Sequence, residues 1–340
     1  MIRIYMATDE GVSIVSDRDG RWAAERRLVG RPTQCLAADP NRSERVYCGT
    51  FGQGLWRSDD AGASWQPAGE GIAHPEVMAV AVSRLEQAGD FGVIWVGTEP
   101  SALFRSEDGG QSWQEQPGLR QLPSSRTWSF PPRPWTHHVR WIAPDATEAG
   151  RLFVGIELGG VMRSLDSGLT WEDHKPGAQP DVHTLRTHPL APGRVYEAAG
   201  GGYAESQDGG DTWSGADAGL AHHYLWGLAV DSGNPDLVIV SAASGPRQAH
   251  NADSAASTIY RRLGQEPWQE VRAGLPGPRG IRAYRLAASP SEPGVFYAAG
   301  ESNGLYRSGD GGLSWEQLDI PWPDDYPRRH VEALVVVEAT

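Results

Sequence analysis

Residues 106–113, SEDGGQSW, decide the fold, because their pattern recurs along the whole chain. The pattern is Ser-x-Asp-x-Gly-x-(Ser/Thr)-Trp. Full copies occupy residues 58–65, 106–113, 164–171, 206–213 and 308–315. Residues 16–22 form a shortened copy, and residues 261–268 keep only the tryptophan of a seventh. Seven units of roughly 40–60 residues indicate a repeat architecture built from four-stranded blades.

Each unit repeats the same order of segments before its motif. An apolar inner strand such as QCLAAD (34–39) precedes a second strand such as RVYCGT (45–50), a glycine turn and a third strand such as GLWRS (54–58). The chain begins at a second-type strand, and the missing inner strand appears as VEALVVVE at its other end. We therefore predict an all-β, seven-bladed β-propeller formed by residues 1–340 as one domain, with the C-terminal strand pairing beside the N-terminal strand.

Composition excludes several classes of function. Among 340 residues there are 42 Gly, 25 Pro and 14 Trp, and the formal net charge is −13. An acidic chain without a basic run has no footprint for nucleic acid or for an anionic membrane surface. The first residues, MIRIYMATDEGVS, lack the apolar core of a secretory signal, so we expect a cytoplasmic monomer. Cys35 and Cys48 lie on neighbouring predicted strands, and we expect two buried free thiols, with a disulfide as the alternative.

The repeated motif resembles the Asp box, or BNR repeat, of sialidases, sortilin-type receptors and many bacterial propellers. The resemblance covers nearly the whole chain and implies a hairpin between the third and fourth strands of each blade. The Asp carboxylate accepts main-chain N–H groups there, and Gly supplies a positive φ. The family resemblance also implies that the boxes lie on the face opposite any active site. We therefore expect a structural role for the box aspartates.

Histidines concentrate at the predicted upper face, which is formed by the loops that start the inner strands and those that join the second and third strands. Eight of the ten histidines belong to these segments: His74, His137, His138, His183, His222, His223, His250 and His330. Neutral imidazole is the usual protein ligand of divalent transition metals. The sequence therefore predicts a metal site formed by His138, His183, His223 and His330, holding Zn²⁺, with Mn²⁺ as the alternative.

Other polar residues lie at the same positions of the inner strands. When the strands are aligned, Arg140, Asp181, Tyr284 and Glu332 fall near the predicted histidines. We expect Glu332 or Asp181 to act as a general base, and Arg140 and Tyr284 to stabilise an anionic transition state. Aromatic residues in the long loop 124–140 would form an apolar rim above the site.

These residues favour a metal-dependent hydrolase of ester, lactone or phosphoester substrates, acting on a small or sugar-like molecule. A non-catalytic binding or assembly propeller, similar to photosystem-assembly proteins of this repeat family, is one alternative. A glycoside hydrolase or carbohydrate lyase is another, because Glu157 and the carboxylates above could form a catalytic pair. A sialidase does not fit: that family is six-bladed, and the sequence lacks its Arg-Ile-Pro motif and a matching arginine triad.

Overall fold

A computed structural model describes residues 1–18, 20–301, 304–322, 326 and 329–338. Its strands, in chain order, are β1 Ile2–Thr8, β2 Gly11–Arg18, β3 Arg21–Arg27, β4 Thr33–Asp39, β5 Arg42–Thr50, β6 Leu55–Ser58, β7 Gln66–Pro67, β8 Glu76–Ala88, β9 Phe91–Glu99, β10 Leu103–Ser106, β11 Gln114–Glu115, β12 Val139–Pro144, β13 Leu152–Ile156, β14 Gly160–Ser164, β15 Val182–Thr187, β16 Val195–Ala199, β17 Gly202–Ser206, β18 Ser214–Gly215, β19 Tyr224–Val230, β20 Leu237–Ala243, β21 Ser257–Leu263, β22 Gln269–Val271, β23 Arg285–Ala288, β24 Phe296–Ala299, β25 Leu305–Ser308, β26 Glu316–Gln317 and β27 Val331–Glu338.

Helical segments are short and lie in the loops. They are the 3-10 turns Pro117–Gln121 and Pro123–Thr127 and the helix α1, Pro246–His250. No helix among the described residues is long and apolar enough to cross a membrane.

The strands form seven antiparallel sheets, which confirms the predicted seven-bladed propeller. Blade 1 has the order β27-β1-β2-β3, and blades 2, 3, 5, 6 and 7 each contain four consecutive strands. Blade 4 contains β12, β13 and β14, and a single bridge between Arg163 and Glu172 takes the place of its fourth strand. The predicted closure is also confirmed, because β27 pairs with β1 from Ile2↔Glu338 to Thr8↔Val331. This pairing covers the strand edge that an open ring would expose.

Each repeated motif forms the same hydrogen-bonded turn. In the first full copy, Asp60 accepts the main-chain N–H of Ser64 at 2.8 Å and the Ser64 hydroxyl at 2.6 Å. Ser58 Oγ accepts the N–H of Gly62, whose φ is +87°. The Trp65 indole N–H then donates to the Gly62 carbonyl. The Asp contacts recur at Asp108, Asp166, Asp208 and Asp310.

Apolar side chains are buried between the blades. Seven hydrophobic clusters each join two neighbouring sheets, so that the chain of clusters runs around the ring. The cluster between blades 7 and 1 combines Ile4 and Met6 with Tyr297 and Leu305, and thereby seals the junction of the two chain ends. Cys35 and Cys48 are buried free thiols, as expected, and burial raises the pKa of the Cys35 thiol to about 12.

A recurring irregularity of the inner strands positions the candidate site. In blades 1 to 6 the pairing of the first and second strands shifts register near the upper end of the inner strand. The residues at these bulges are Glu332, Gln34, Met78, Arg140, His183 and Trp226 with Gly227. A bulge leaves one residue unpaired and re-aims its side chain. No shift occurs in blade 7, where β23 begins at Arg285.

Candidate functional site

The site lies at the upper mouth of the central channel. Inner-strand residues of all seven blades line a channel cavity of about 250 Å³. Arg140, Trp226, Arg285 and Glu332 are among its lining residues. The loops above it carry Glu157, Asp181 and the clustered histidines. Loops at one end of a rigid ring are a common place for binding groups to converge.

Three side chains offer ligand atoms to one point. A carboxylate oxygen of Glu157, a carboxylate oxygen of Asp181 and a ring nitrogen of His183 all lie within 4.8 Å of one another. His183 is fully buried, and its Nδ1 lies 2.5 Å from the main-chain oxygen of Leu225. Because a carbonyl only accepts, Nδ1 carries a proton, and in the neutral imidazole Nε2 then presents a lone pair. Within the described part of the chain, Nε2 has no hydrogen-bond partner, and it lies 3.6 Å from Asp181 Oδ1.

A second chain of contacts holds Glu157 in place. His138 Nε2 lies 3.0 Å from Glu157 Oε2, and His138 Nδ1 lies 3.5 Å from Glu99 Oε2. Arg133 binds Glu99 through two hydrogen bonds of 2.6 and 2.5 Å. The half-buried Phe130 ring packs edge-on against the His138 imidazole. His138 is therefore placed behind Glu157 and between two carboxylates.

The charges around Glu157 keep it ionised. Burial raises the pKa of its carboxyl, but the hydrogen bond with His138 and the Coulomb interactions with His138 and Arg140 act in the opposite direction, and the pKa falls to about 2. Arg140 Nε lies 3.7 Å from Glu157 Oε2. An ionised carboxylate with this environment suits a metal ligand or a nucleophile, and it does not suit a general acid.

Aromatic rings form the wall beside His183. The Trp226 ring centroid lies 4.3 Å from that of His183 and 4.2 Å from that of His250. The Tyr224 hydroxyl lies 3.3 Å from His250 Nε2. Burial, and then the positive charge of Arg285, lower the pKa of His250 to about 3, so this imidazole is neutral at pH 7.

The predicted metal-ligand histidines separate into two groups. His138 contacts Glu157 directly, and His183 belongs with Glu157 and Asp181 to the three-ligand group. His330 lies beyond His250, with their ring centroids 6.3 Å apart, and its Nδ1 is 3.0 Å from the Gly300 carbonyl oxygen. His223 is exposed, and its Nδ1 is 3.5 Å from Asp217. Among the described residues, His183 is the one predicted histidine in a group of three potential ligands, and His138, His223 and His330 belong to none.

The predicted catalytic residues also differ in position. Asp181 belongs to the three-ligand group, and Arg140 lies next to Glu157. Glu332 faces the channel and pairs with Arg285 at 3.0 Å. Tyr284 does not reach the channel cavity: it is buried in the cluster between blades 6 and 7. Without a bulge at the start of β23, Arg285 takes the channel-facing position instead.

Sequence reasoning gave Glu157 only a secondary role and assigned none to Trp226. Glu157 follows the second strand of blade 4, so it lies outside the inner strands whose aligned positions predict the site. Its partner His138 precedes β12, and only the folded blade brings the two together. The predicted aromatic rim is partly present, since Trp135 is exposed whereas Trp128 packs into the core between blades 3 and 4.

No protein-family model matches the chain, and no curated protein matches it. Solved structures do match. An ancestral GH74 enzyme is similar over 92% of this chain, with a TM-score of 0.65 and 20% identity, and the chain spans 40% of that enzyme. YCF48 bound to a D1 peptide is similar over 98% of this chain and 95% of its own, with a TM-score of 0.60 and 17% identity. YCF48 from Cyanidioschyzon merolae has a TM-score of 0.58 and 13% identity, over 85% of each chain. These similarities support a propeller fold.

Proposed function

We propose that the protein is a metal-dependent hydrolase whose divalent metal is held by Glu157, Asp181 and His183. The observation that carries this proposal is the buried Nε2 of His183, which has no hydrogen-bond partner among the described residues although the opposite ring nitrogen is fixed by Leu225. A neutral imidazole oriented through its other nitrogen is the usual arrangement of a metal-ligating histidine. Two carboxylates within 4.8 Å complete a three-ligand set.

The surrounding residues have distinct parts in this proposal. His138 and Glu99 orient the Glu157 carboxylate, and Arg140 offers a positive charge beside it. Trp226 and Tyr224 exclude water on the His183 side. A bound Zn²⁺ or Mn²⁺ would supply a Lewis acid and lower the pKa of a water molecule. Glu332 lies across the channel with Arg285, and we assign it to substrate positioning.

Elemental analysis and chelation test this function together. Protein purified without a histidine tag should contain about one equivalent of transition metal. Hydrolysis of aryl esters, lactones or phosphoesters should stop on treatment with a chelator and return with Zn²⁺ or Mn²⁺. Less than about a tenth of an equivalent of metal after growth with added metals, together with no hydrolysis, would replace this proposal by the binding or assembly alternative.

A glycoside hydrolase is the second candidate. It is favoured by the Glu157 and Asp181 carboxylates, whose oxygens lie within 4.8 Å, since retaining enzymes place two carboxyl groups about 5–5.5 Å apart. The low pKa of Glu157 would make it the nucleophile and leave Asp181 as the acid. The same protein should then cleave aryl glycosides in the presence of a chelator. Cleavage that the chelator abolishes would instead support the metal-dependent hydrolase.

A further inference from the structure

Three arginine side chains line the channel below the three-ligand group. Arg140, Arg186 and Arg285 come from blades 4, 5 and 7 and line the same cavity. Among the described residues that line it, Glu332 is the one carboxylate. The lining therefore has a surplus of two positive charges, whereas the whole chain has a net charge of −13. A cleft lined by one sign of charge focuses its field on small ligands of the opposite sign.

Arg186 differs from two buried arginines of the blades, because among the described residues it has no ion-pair partner. Arg163 pairs with Glu172 and Asp211, and Arg194 pairs with Glu205 and Asp236. Arg186 is half-buried, stacks on the Trp141 ring at 4.6 Å and donates from Nη1 to the Leu185 carbonyl oxygen at 3.4 Å, and in the described part of the chain it forms no ion pair. A channel-lining guanidinium without a carboxylate partner leaves its positive charge available to an anionic ligand.

Arg140 and Arg285 offer free donors at the upper end of the cavity. Their guanidinium carbons lie 4.4 and 4.9 Å from the centre of the Trp226 ring, which fixes both side chains. Arg285 Nη1 is buried and has no hydrogen-bond partner among the described residues, whereas Arg140 Nε faces Glu157 Oε2 at 3.7 Å. Both arginines also have one carboxylate neighbour, Glu157 and Glu332 respectively, so their remaining N–H groups are the ones left for a ligand.

We propose that this channel binds an oxyanion group, a carboxylate or a phosphate, of a small organic ligand through Arg140, Arg186 and Arg285. Planar guanidinium groups match such oxyanions with paired hydrogen bonds. The cavity of about 250 Å³ accepts a small molecule and opens beneath Glu157. This inference rests on the proposed function, because it assigns an anionic substrate to the hydrolase. The binding of the anion itself needs no metal.

Calorimetric titration of chelator-treated protein tests the site. Phenyl phosphate, succinate and inorganic phosphate are the probes. We expect one equivalent of an organic anion to bind, and Arg186→Met and Arg140→Met to weaken it at least about tenfold. Arg307→Gln is the matched control, because Arg307 forms ion pairs with the exposed residues Glu292 and Glu316 outside the channel. Arg186→Lys keeps the charge and should give an intermediate loss, which preserves the test if the Met variant does not fold.

The possible results separate this inference from the proposed function. Wild-type protein that binds neither organic anion, or an Arg186→Met variant that binds as tightly as wild type, overturns the anion site. Binding of inorganic phosphate alone overturns the inferred substrate class. Anion binding by a wild-type protein that takes up no transition metal, even when metal is added, would contradict the hydrolase and leave the anion site standing. Metal binding without anion binding would overturn the anion site and leave the proposed hydrolase standing.

Discussion

The Nδ1–H of His183 donates to the main-chain oxygen of Leu225 in the next blade, over 2.5 Å. This contact joins blades 5 and 6 and fixes the tautomer in which Nε2 has the lone pair. The ring is held further by Trp226, at a centroid distance of 4.3 Å. The imidazole is therefore oriented before any ligand arrives, which lowers the cost of binding one.

His183→Ala should abolish metal binding, because it removes the one nitrogen ligand of the three-ligand group. Metal content and circular dichroism are the measurements. His188→Ala is the control: His188 is equally buried, but both of its ring nitrogens have partners, the Asp231 carbonyl oxygen and the Leu190 N–H. This variant should lose stability and keep its metal. Equal metal content in both variants would falsify the ligand assignment.

Asp108→Ala should lower the free energy of unfolding by about 1–3 kcal/mol, because the carboxylate accepts several hydrogen bonds within one turn. Its oxygens accept the N–H groups of Gln111 and Ser112 and the hydroxyl of Ser106. Urea denaturation measures the loss. The neighbouring Glu107→Ala, at an exposed position, should change stability by less than about 0.5 kcal/mol. Loss of activity without loss of stability in Asp108→Ala would give the box a functional role.

Deletion of residues 331–340 should make the protein aggregate, since it removes β27 and exposes the edge of β1. The deletion also removes Val331 and Leu334 from the cluster between blades 7 and 1. Soluble yield and thermal unfolding are the measurements. Deletion of residues 339–340 alone, which follow the strand, is the control. A soluble ten-residue truncation with an unchanged melting temperature would disprove the role of closure.

Glu197 gives stability a distinct dependence on pH. It is fully buried and pairs with Leu185, a position at which the neighbouring blades have Val154 and Val240. Burial raises the pKa of its carboxyl from 4.5 to about 8, against the single hydrogen bond from the Gln179 N–H. The folded state therefore holds a proton that the unfolded state releases between these two values, and stability falls as pH rises through that window.

Glu197→Gln should remove this contribution. The stability difference between variant and wild type should grow by up to about 1.4 kcal/mol per pH unit between pH 5 and 8. Urea denaturation across that range measures it. Glu107→Gln, at an exposed position, is the control and should show a constant difference. A constant difference for Glu197→Gln as well would mean that its carboxyl titrates normally in the folded protein.

The repeats determined the architecture. Five complete motifs and two degenerate copies, at intervals of roughly 40–60 residues, predict seven blades. The strand-like segment at Val331–Glu338 predicts how the ring closes. Such features follow from local chemistry: a Ser-x-Asp-x-Gly turn and an alternating strand have the same conformation wherever they occur. The order of segments in each repeat also predicts that histidines lie on the upper face, because each inner strand starts at that face.

Only the tertiary structure decided which of these side chains meet. Period-two alternation assigns a residue to one face of its own strand, but a bulge changes that direction, and blade 7 lacks the bulge that the other inner strands have. Arg285 consequently faces the channel and Tyr284 does not. Glu157 of blade 4 lies close to His183 of the neighbouring blade 5, and it comes from a loop that is not part of the aligned inner strands. Distances between blades are set by packing around the whole ring, so no single repeat contains the information that places a site at its centre.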